Sequence, residues 1–246
     1  MQTELAYPMY DISPPATDAL AAALRRRFPG AHFSRPDALL ASWQDDALLL
    51  SQACGYPLVT RLHDVQVVGC FHYLAPGCSG PDYRSLLVAR AGDSGARLDA
   101  FRDRPAAANA PDSQSGYRAL LRAVGGDTGY FSRMVWCGSH RGALRAVRRG
   151  EADLAAIDCV SFALLGRYFP QEVEGLAVID ETPLTPGLPL ITSRATPPPV
   201  LAALREALGA VAEDRAIAGP LLIGGFSPVS RSAYAPLAAA IEPRRG

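Results

Sequence analysis

Gly138-Ser139-His140-Arg141-Gly142-Ala143-Leu144-Arg145-Ala146-Val147-Arg148-Arg149-Gly150-Glu151-Ala152-Asp153-Leu154-Ala155-Ala156-Ile157-Asp158 is the stretch on which the reading of this chain turns. It reads as a turn, a short basic helix, a glycine stop and an apolar strand ending on an acid. Ser139 stands where an N-cap is wanted and Gly150 where a C′ glycine is wanted. Leu154 to Ile157 is a continuous apolar run, which predicts a strand buried on both faces. In open parallel sheets, ligands bind at the carboxyl ends of strands and at helix N-termini. Ser139, His140 and Asp158 are therefore candidates to meet in one crevice.

A unit of the same kind lies upstream. Ala106 to Pro111 predicts a short strand, and Asp112-Ser113-Gln114-Ser115-Gly116 opens a helix expected over Tyr117 to Val124. A Ser-x-Ser-Gly turn at a helix start offers two hydroxyls, free backbone N–H groups and the positive end of the helix dipole. One such turn is ordinarily a plain cap. Two in consecutive strand–turn–helix units point to an anion site built from Ser113, Ser115, Gly116, Ser139 and His140.

At this point a resemblance becomes specific. The pattern Asn109-x-Pro111-x-Ser113-x-Ser115-Gly116, then Gly138-Ser139-His140, then Gly150-x-Ala152-Asp153-x-Ala155-Ala156-Ile157-Asp158 spans roughly 50 residues. In order, spacing and residue type it resembles the phosphonate/phosphite/phosphate-binding proteins of ABC importers, within the type II periplasmic-binding-protein superfamily. Tyr7-Pro8-Met9-Tyr10 and the segment Leu48 to Pro57 look like first-lobe segments of that family. Tyr83-Arg84-Ser85-Leu86-Leu87-Val88 looks like its crossover into the second lobe.

The resemblance implies an α/β, two-lobed type II periplasmic-binding-protein fold. Each lobe would be a mixed, mainly parallel sheet flanked by helices. Lobe 1 would be discontinuous, residues 1–82 plus 189–246, with lobe 2 (83–188) inserted and a two-strand hinge near Tyr83–Arg90 and Thr182–Thr192. A small anion would bind in the interlobe cleft. By resemblance, Ser113, Ser115, Ser139 and His140 match positions that hold the phosphonate group, and Asp158 matches one that holds a ligand cation in aminophosphonate binders. Tyr7, Tyr10, Gln52 and Gly55 are expected as first-lobe wall residues, with ordinary packing the rival reading for the two tyrosines. Tyr83 and Arg84 could line the hinge side, although a hinge arginine often pairs with a carboxylate of its own protein. His140 brings a group that ordinarily titrates near neutrality.

Composition agrees with an α/β globular protein. The 246 residues are 49% hydrophobic and 20% charged, with zero formal net charge. That balance argues against general nucleic-acid or membrane affinity, which needs a basic excess. All 24 Lys-plus-Arg positions are Arg, which fits GC-rich codon usage together with heavy Ala, Gly and Pro content. No cofactor or metal is implied: His32, His63, His72 and His140 lack metal-pair spacing. The partners implied are a small-molecule anion and an ABC permease or another signalling partner, with the protein a monomer.

Strands and helices alternate along the chain. Strands are expected at Leu5–Met9, His32–Ser34, Ala47–Leu50, Val65–Tyr73, Tyr83–Arg90, Leu176–Ile179 and Leu188–Thr192. Helices are expected at Asp18–Arg27, Pro36–Trp43, Pro57–Leu62, Arg97–Phe101, Pro198–Ala212 and Ser230–Ile241. Met1 to Leu5 carries no basic n-region, long apolar run or small-residue cleavage site, so as written the chain reads as cytoplasmic; a trimmed leader would make it periplasmic. The five cysteines, Cys54, Cys70, Cys78, Cys137 and Cys159, lack metal-type spacing and read as free thiols of a reducing compartment. A Cys54–Cys70 or Cys70–Cys78 bridge would reverse that choice.

Two alternatives belong to other classes. Type II binding folds also host enzymes, and Cys54, His140 and Asp158 could serve as nucleophile, base and orienter. A cytoplasmic ligand sensor that signals to a protein partner is the other.

Overall fold

In the computed structural model, which describes residues 3–239, the chain divides into two compact units. One takes the chain up to Leu74, with Ser79–Asp82 and Pro186–Ala238; the other takes Ala75–Cys78 and Tyr83–Thr185.

The first unit is built on a six-stranded sheet in the order Ile223–Ser227, Gln66–Tyr73, Pro189–Thr192, Leu48–Gln52, Thr3–Ala6, Ala31–Ser34. Thr3–Ala6 runs parallel to both its neighbours, and the remaining pairs are antiparallel. Leu48–Gln52 is buried at every position, as its unbroken apolar lead predicts for a central strand. Trp43, Leu48, Leu58, Leu62, Ile191 and Tyr234 anchor the core on one face.

The second unit is a five-stranded sheet in the order Leu176–Glu181, Ser85–Arg90, Leu154–Asp158, Ala106–Ala108, Met134–Trp136. Ala106–Ala108 is parallel to both neighbours, while Ser85–Arg90 is antiparallel to both of its own. The sheets are thus mixed, with a larger antiparallel share than strand–helix alternation alone conveys. The apolar runs behave as read: Ala106–Ala108 and Leu154–Asp158 are buried throughout. Leu87, Phe101, Leu120, Tyr130, Phe131 and Leu154 form the core against them.

Local chemistry accounts for the element boundaries. The helix expected from Asp18 begins at Pro14, because Pro14 and Pro15 occupy the first turn, where no intrahelical N–H is needed. Among the elements absent from the sequence reading, three have a plain local reason. Met134–Trp136 is three residues long, too short for a periodic signal. Ile223–Ser227 contains two glycines, a residue depleted in strands. The helix Cys159–Tyr168 follows its strand without a Gly or Pro to mark the change. The helix expected over Ser230–Ile241 is instead a tight turn at Arg231–Tyr234 and a short helix at Pro236–Ala239; Ala240 and Ile241 lie outside the described residues.

The helix His140–Arg148 matters most for the site, and a buried acid holds it in place. Glu172, only 3% exposed, accepts hydrogen bonds from Arg141 at 2.9 Å and from Arg145 at 2.9 Å, and Arg148 lies 3.8 Å away. Arg145, and then Arg141, hold the Glu172 carboxyl down at about 2 despite its burial. The Schellman stop closes the same helix: Glu151 N–H donates to Ala146 carbonyl at 2.9 Å and Gly150 N–H to Val147 carbonyl at 3.1 Å. Gly150 takes φ +75°, the left-handed geometry that glycine accepts without a Cβ penalty.

A folded-state value near 2 against 4.5 when unfolded means that Glu172 contributes stability above about pH 4.5 and loses it as the pH falls towards 2. Glu172→Gln is expected to unfold with a shallower pH dependence across that window. At pH 7 it should cost on the order of 1 kcal/mol, since the arginines are partly solvated and screening removes much of the gross attraction. Thermal unfolding of both proteins from pH 2 to pH 7 measures this.

Candidate functional site

Three strands of the second unit, Met134–Trp136, Ala106–Ala108 and Leu154–Asp158, run parallel, so their carboxyl ends lie on one edge of the sheet. Each is followed by a helix, and each helix carries its own cap. Ser113 Oγ accepts from Gly116 N–H at 3.0 Å. Ser139 Oγ accepts from Gly142 N–H at 3.0 Å. Asp158 Oδ1 accepts from Val160 and Ser161 N–H at 2.8 and 2.9 Å. Three of the candidate residues are therefore N-caps on a common edge. A serine that accepts at a cap keeps its own O–H for donation.

Between the first two helix starts lies the contact that joins them. Ser115 Oγ and His140 Nε2 share a hydrogen bond of 2.9 Å. Ser115 reaches that position because its helix opens with a π turn at Gln114–Arg118, marked by the bond of 3.0 Å from Arg118 N–H to the Ser113 carbonyl. The sequence placed the helix start later, at Tyr117; propensity carries no signal for a π turn, a form that recurs at functional sites. Ser85 Oγ donates to the Ser115 carbonyl at 2.8 Å, tying the turn to the antiparallel neighbour strand. Ser85 was not among the sequence candidates.

The turn before His140 is held equally closely. Cys137 N–H donates to Ala108 carbonyl at 2.8 Å and Gly138 N–H to Asn109 carbonyl at 2.9 Å, with Gly138 at φ +72°. Gly142 lies so near this turn that a Cβ on it would sit 2.4 Å from the Cys137 carbonyl oxygen. At Gly116 a Cβ would meet Asn109 Oδ1 at 2.0 Å. Both motif glycines are therefore close-approach glycines.

His140 departs from expectation in its charge. The residue is half-buried, but Nδ1 faces inward and is shielded from solvent. Burial pushes the imidazole from 6.5 down to about 4, partly offset by the backbone of Ala156. A group expected to titrate near neutrality is thus a neutral hydrogen-bonding ring at pH 7.

The pair expected on the hinge side divides. Tyr83 is buried at 2% exposure. Arg84 is ion-paired with Glu181, the rival reading the sequence left open.

Tyr7 and Tyr10 are buried. Tyr10 packs edge-on against Tyr73 with ring centroids 5.0 Å apart. The Tyr7 hydroxyl hydrogen-bonds the Tyr73 hydroxyl, and Gln52 Nε2 donates to that same hydroxyl at 3.0 Å. Burial raises the Tyr73 phenol well above its usual range, with the neighbouring Tyr7 hydroxyl adding to the effect. Tyr73 was missed because it is a single tyrosine inside a strand. Gly55 begins the helix Gly55–Thr60, with Cys54 as its N-cap.

A sequence model of the family described as the periplasmic phosphonate substrate-binding protein of ABC transporters matches residues 20–234. A search of curated proteins found no match. Among solved structures, the chain is similar to a binding-protein component of an ABC phosphonate transporter from Pseudomonas aeruginosa, with a TM-score of 0.78, 17% identity and coverage of 98% of this chain and 86% of that one. It is similar to PhnD1 from Prochlorococcus marinus in complex with methylphosphonate, with a TM-score of 0.77, 12% identity and coverage of 97% and 96%. It is also similar to the periplasmic aliphatic sulphonate-binding protein SsuA from Escherichia coli, with a TM-score of 0.61, 16% identity and coverage of 98% and 84%. At these identities the structural likenesses establish the two-lobed fold. The family description overturns the cytoplasmic expectation, because that family is periplasmic.

Two outcomes follow from the geometry. Gly142→Ala drives a methyl into a backbone carbonyl that no side-chain rotation can relieve, so we expect it to cost about 1–3 kcal/mol in denaturant unfolding. His140 binds its proton more weakly folded than unfolded, so its contribution to stability is present above about pH 6.5 and is lost as the pH falls to about 4. His140→Asn should flatten the pH dependence of thermal unfolding across that interval.

Proposed function

We propose that this chain, which belongs to the family of periplasmic phosphonate substrate-binding proteins of ABC transporters, captures a small tetrahedral oxyanion of the phosphonate, phosphite or phosphate class at the capped edge of its second unit. The observation that carries the reading is the hydrogen bond of 2.9 Å between Ser115 and His140, which brings two helix starts to one point. Positive helix ends, capping hydroxyls with O–H groups to donate and a neutral imidazole form a donor-rich seat suited to an anion. A neutral imidazole still offers one N–H to an anion oxygen.

In this reading Ser113, Ser115, Gly116, Ser139 and His140 hold the anion. Asp158 is a helix cap first. Its proposed second role is to favour ligands that also carry a cation. Arg84, already paired with Glu181, is the weakest of the proposed contacts. In the first unit Gln52 Oε1 is among the buried polar atoms without a partner. The two units are proposed to be the two lobes of the binding protein, and its partner the permease of an importer. The family is one of binding proteins rather than enzymes, so the Cys54–His140–Asp158 alternative is not favoured.

Thermal-shift and calorimetric titrations with phosphate, phosphite, methylphosphonate, aminoethylphosphonate and alkyl sulfonates test the proposal, because a ligand that binds the native state raises its melting temperature by mass action. Ser115→Ala and His140→Ala are each expected to weaken the best oxyanion at least about tenfold, or ~1.4 kcal/mol. Absence of a shift with every oxyanion at millimolar concentration would sink the reading. Asp158→Asn should weaken aminoethylphosphonate more than methylphosphonate.

A further inference from the structure

We propose that Cys78 and Cys159 are an oxidisable pair that closes to a disulfide in the compartment this family occupies. The two cysteines are 81 positions apart, and no sequence spacing links them. The fold brings their sulfurs to 3.5 Å while both remain thiols. Both belong to the second unit, and backbone bonds hold both. Cys159 opens the helix Cys159–Tyr168, and its N–H donates to the Arg84 carbonyl at 3.1 Å. Cys78 ends a tight turn in which its N–H donates to the Ala75 carbonyl at 3.1 Å.

Gly77, the chain neighbour of Cys78, packs against Cys159: it takes φ +96°, and a Cβ there would lie 3.2 Å from Cys159 Cβ and 3.4 Å from its sulfur. A side chain at that position would crowd Cys159. Elsewhere the sulfurs of Cys70 and Cys137 lie against carbonyl oxygens, Phe71 at 3.2 Å and Val135 at 3.4 Å. The bonded S–S distance is about 2.0 Å, so closing the bridge takes a shift of about 1.5 Å between the sulfurs.

The oxidant class required is a disulfide that exchanges with thiols, and glutathione disulfide serves as the example. Cys78, which is half-exposed, loses its proton and attacks one sulfur of the disulfide. That S–S bond breaks, and one glutathione leaves and takes up the proton. Cys159 then loses its proton and attacks the Cys78 sulfur, the mixed disulfide breaks, and the second glutathione leaves as thiol. Two protein thiols are oxidised, and one glutathione disulfide is reduced to two thiols. The order of attack follows from position: Cys159 is buried and hydrogen-bonded to Cys78, which holds its proton firmly. The bridge would close a loop over most of the second unit and pin the residue next to Asp158.

The test treats the full chain with oxidised glutathione and then blocks remaining thiols under denaturing conditions. The expected result is an intact mass lower by two hydrogens at this pair, a cross-linked peptide joining Cys78 to Cys159, and a melting temperature higher by several degrees that dithiothreitol reverses. Cys78→Ser and Cys159→Ala should each abolish the cross-link and the reversible rise. Should Cys159→Ala fail to fold, Cys78→Ser, at a half-exposed turn, carries the test. Recovery of both cysteines fully alkylated, bridges joining other cysteines instead, or a glutathione adduct persisting on Cys78 would each overturn the inference.

Discussion

Three parallel strands that end on one edge impose the arrangement of everything around the candidate site. Because Ala106–Ala108 pairs in parallel with both Met134–Trp136 and Leu154–Asp158, the turns that follow must emerge side by side. Each turn then faces the same problem, the unpaired N–H groups of a helix start. Each answers it with a polar side chain: Ser113, Ser139 or Asp158. A row of capped helix starts concentrates hydrogen-bond donors and positive partial charge at one place. The Ser115–His140 bond joins two of them.

The surroundings maintain that arrangement by close approach rather than by bulk. Gly116 and Gly142 sit where a single methyl would strike Asn109 or the Cys137 carbonyl, so the turns pack backbone against backbone. Behind the second helix, Glu172 gathers Arg141, Arg145 and Arg148 and fixes the helix by its outer face. That network engages three cations of the helix with one carboxylate. Backbone dipoles, capping hydroxyls and a neutral imidazole contribute to the polarity of the edge.

Much of this was legible in the residues. Ser139 as N-cap, Gly150 as the C′ glycine and the buried run before Asp158 are local properties, each decided within a few residues. The Ser-x-Ser-Gly turn was visible as a helix start, although the π turn that aims Ser115 was not. Ser85, Tyr73 and Glu172 carried no signal, because each acts on a group 20 or more positions away. Ser85 reaches Ser115, Tyr73 reaches Gln52 and Tyr7, and Glu172 reaches Arg141 and Arg145. The expectation of a near-neutral titration for His140 came from its free-solution chemistry, which burial overrides.

By itself the sequence determined the caps, the glycine stops, the fully buried strands and the motif order that points to the phosphonate-binding family. These follow from backbone hydrogen-bonding needs and side-chain shape over short spans. The tertiary structure alone decided that Ser115 meets His140, that the imidazole is neutral, that Arg84 is paired with Glu181 and that Cys78 lies against Cys159. Burial and proximity between distant residues are properties of the packed chain, and no local pattern encodes them.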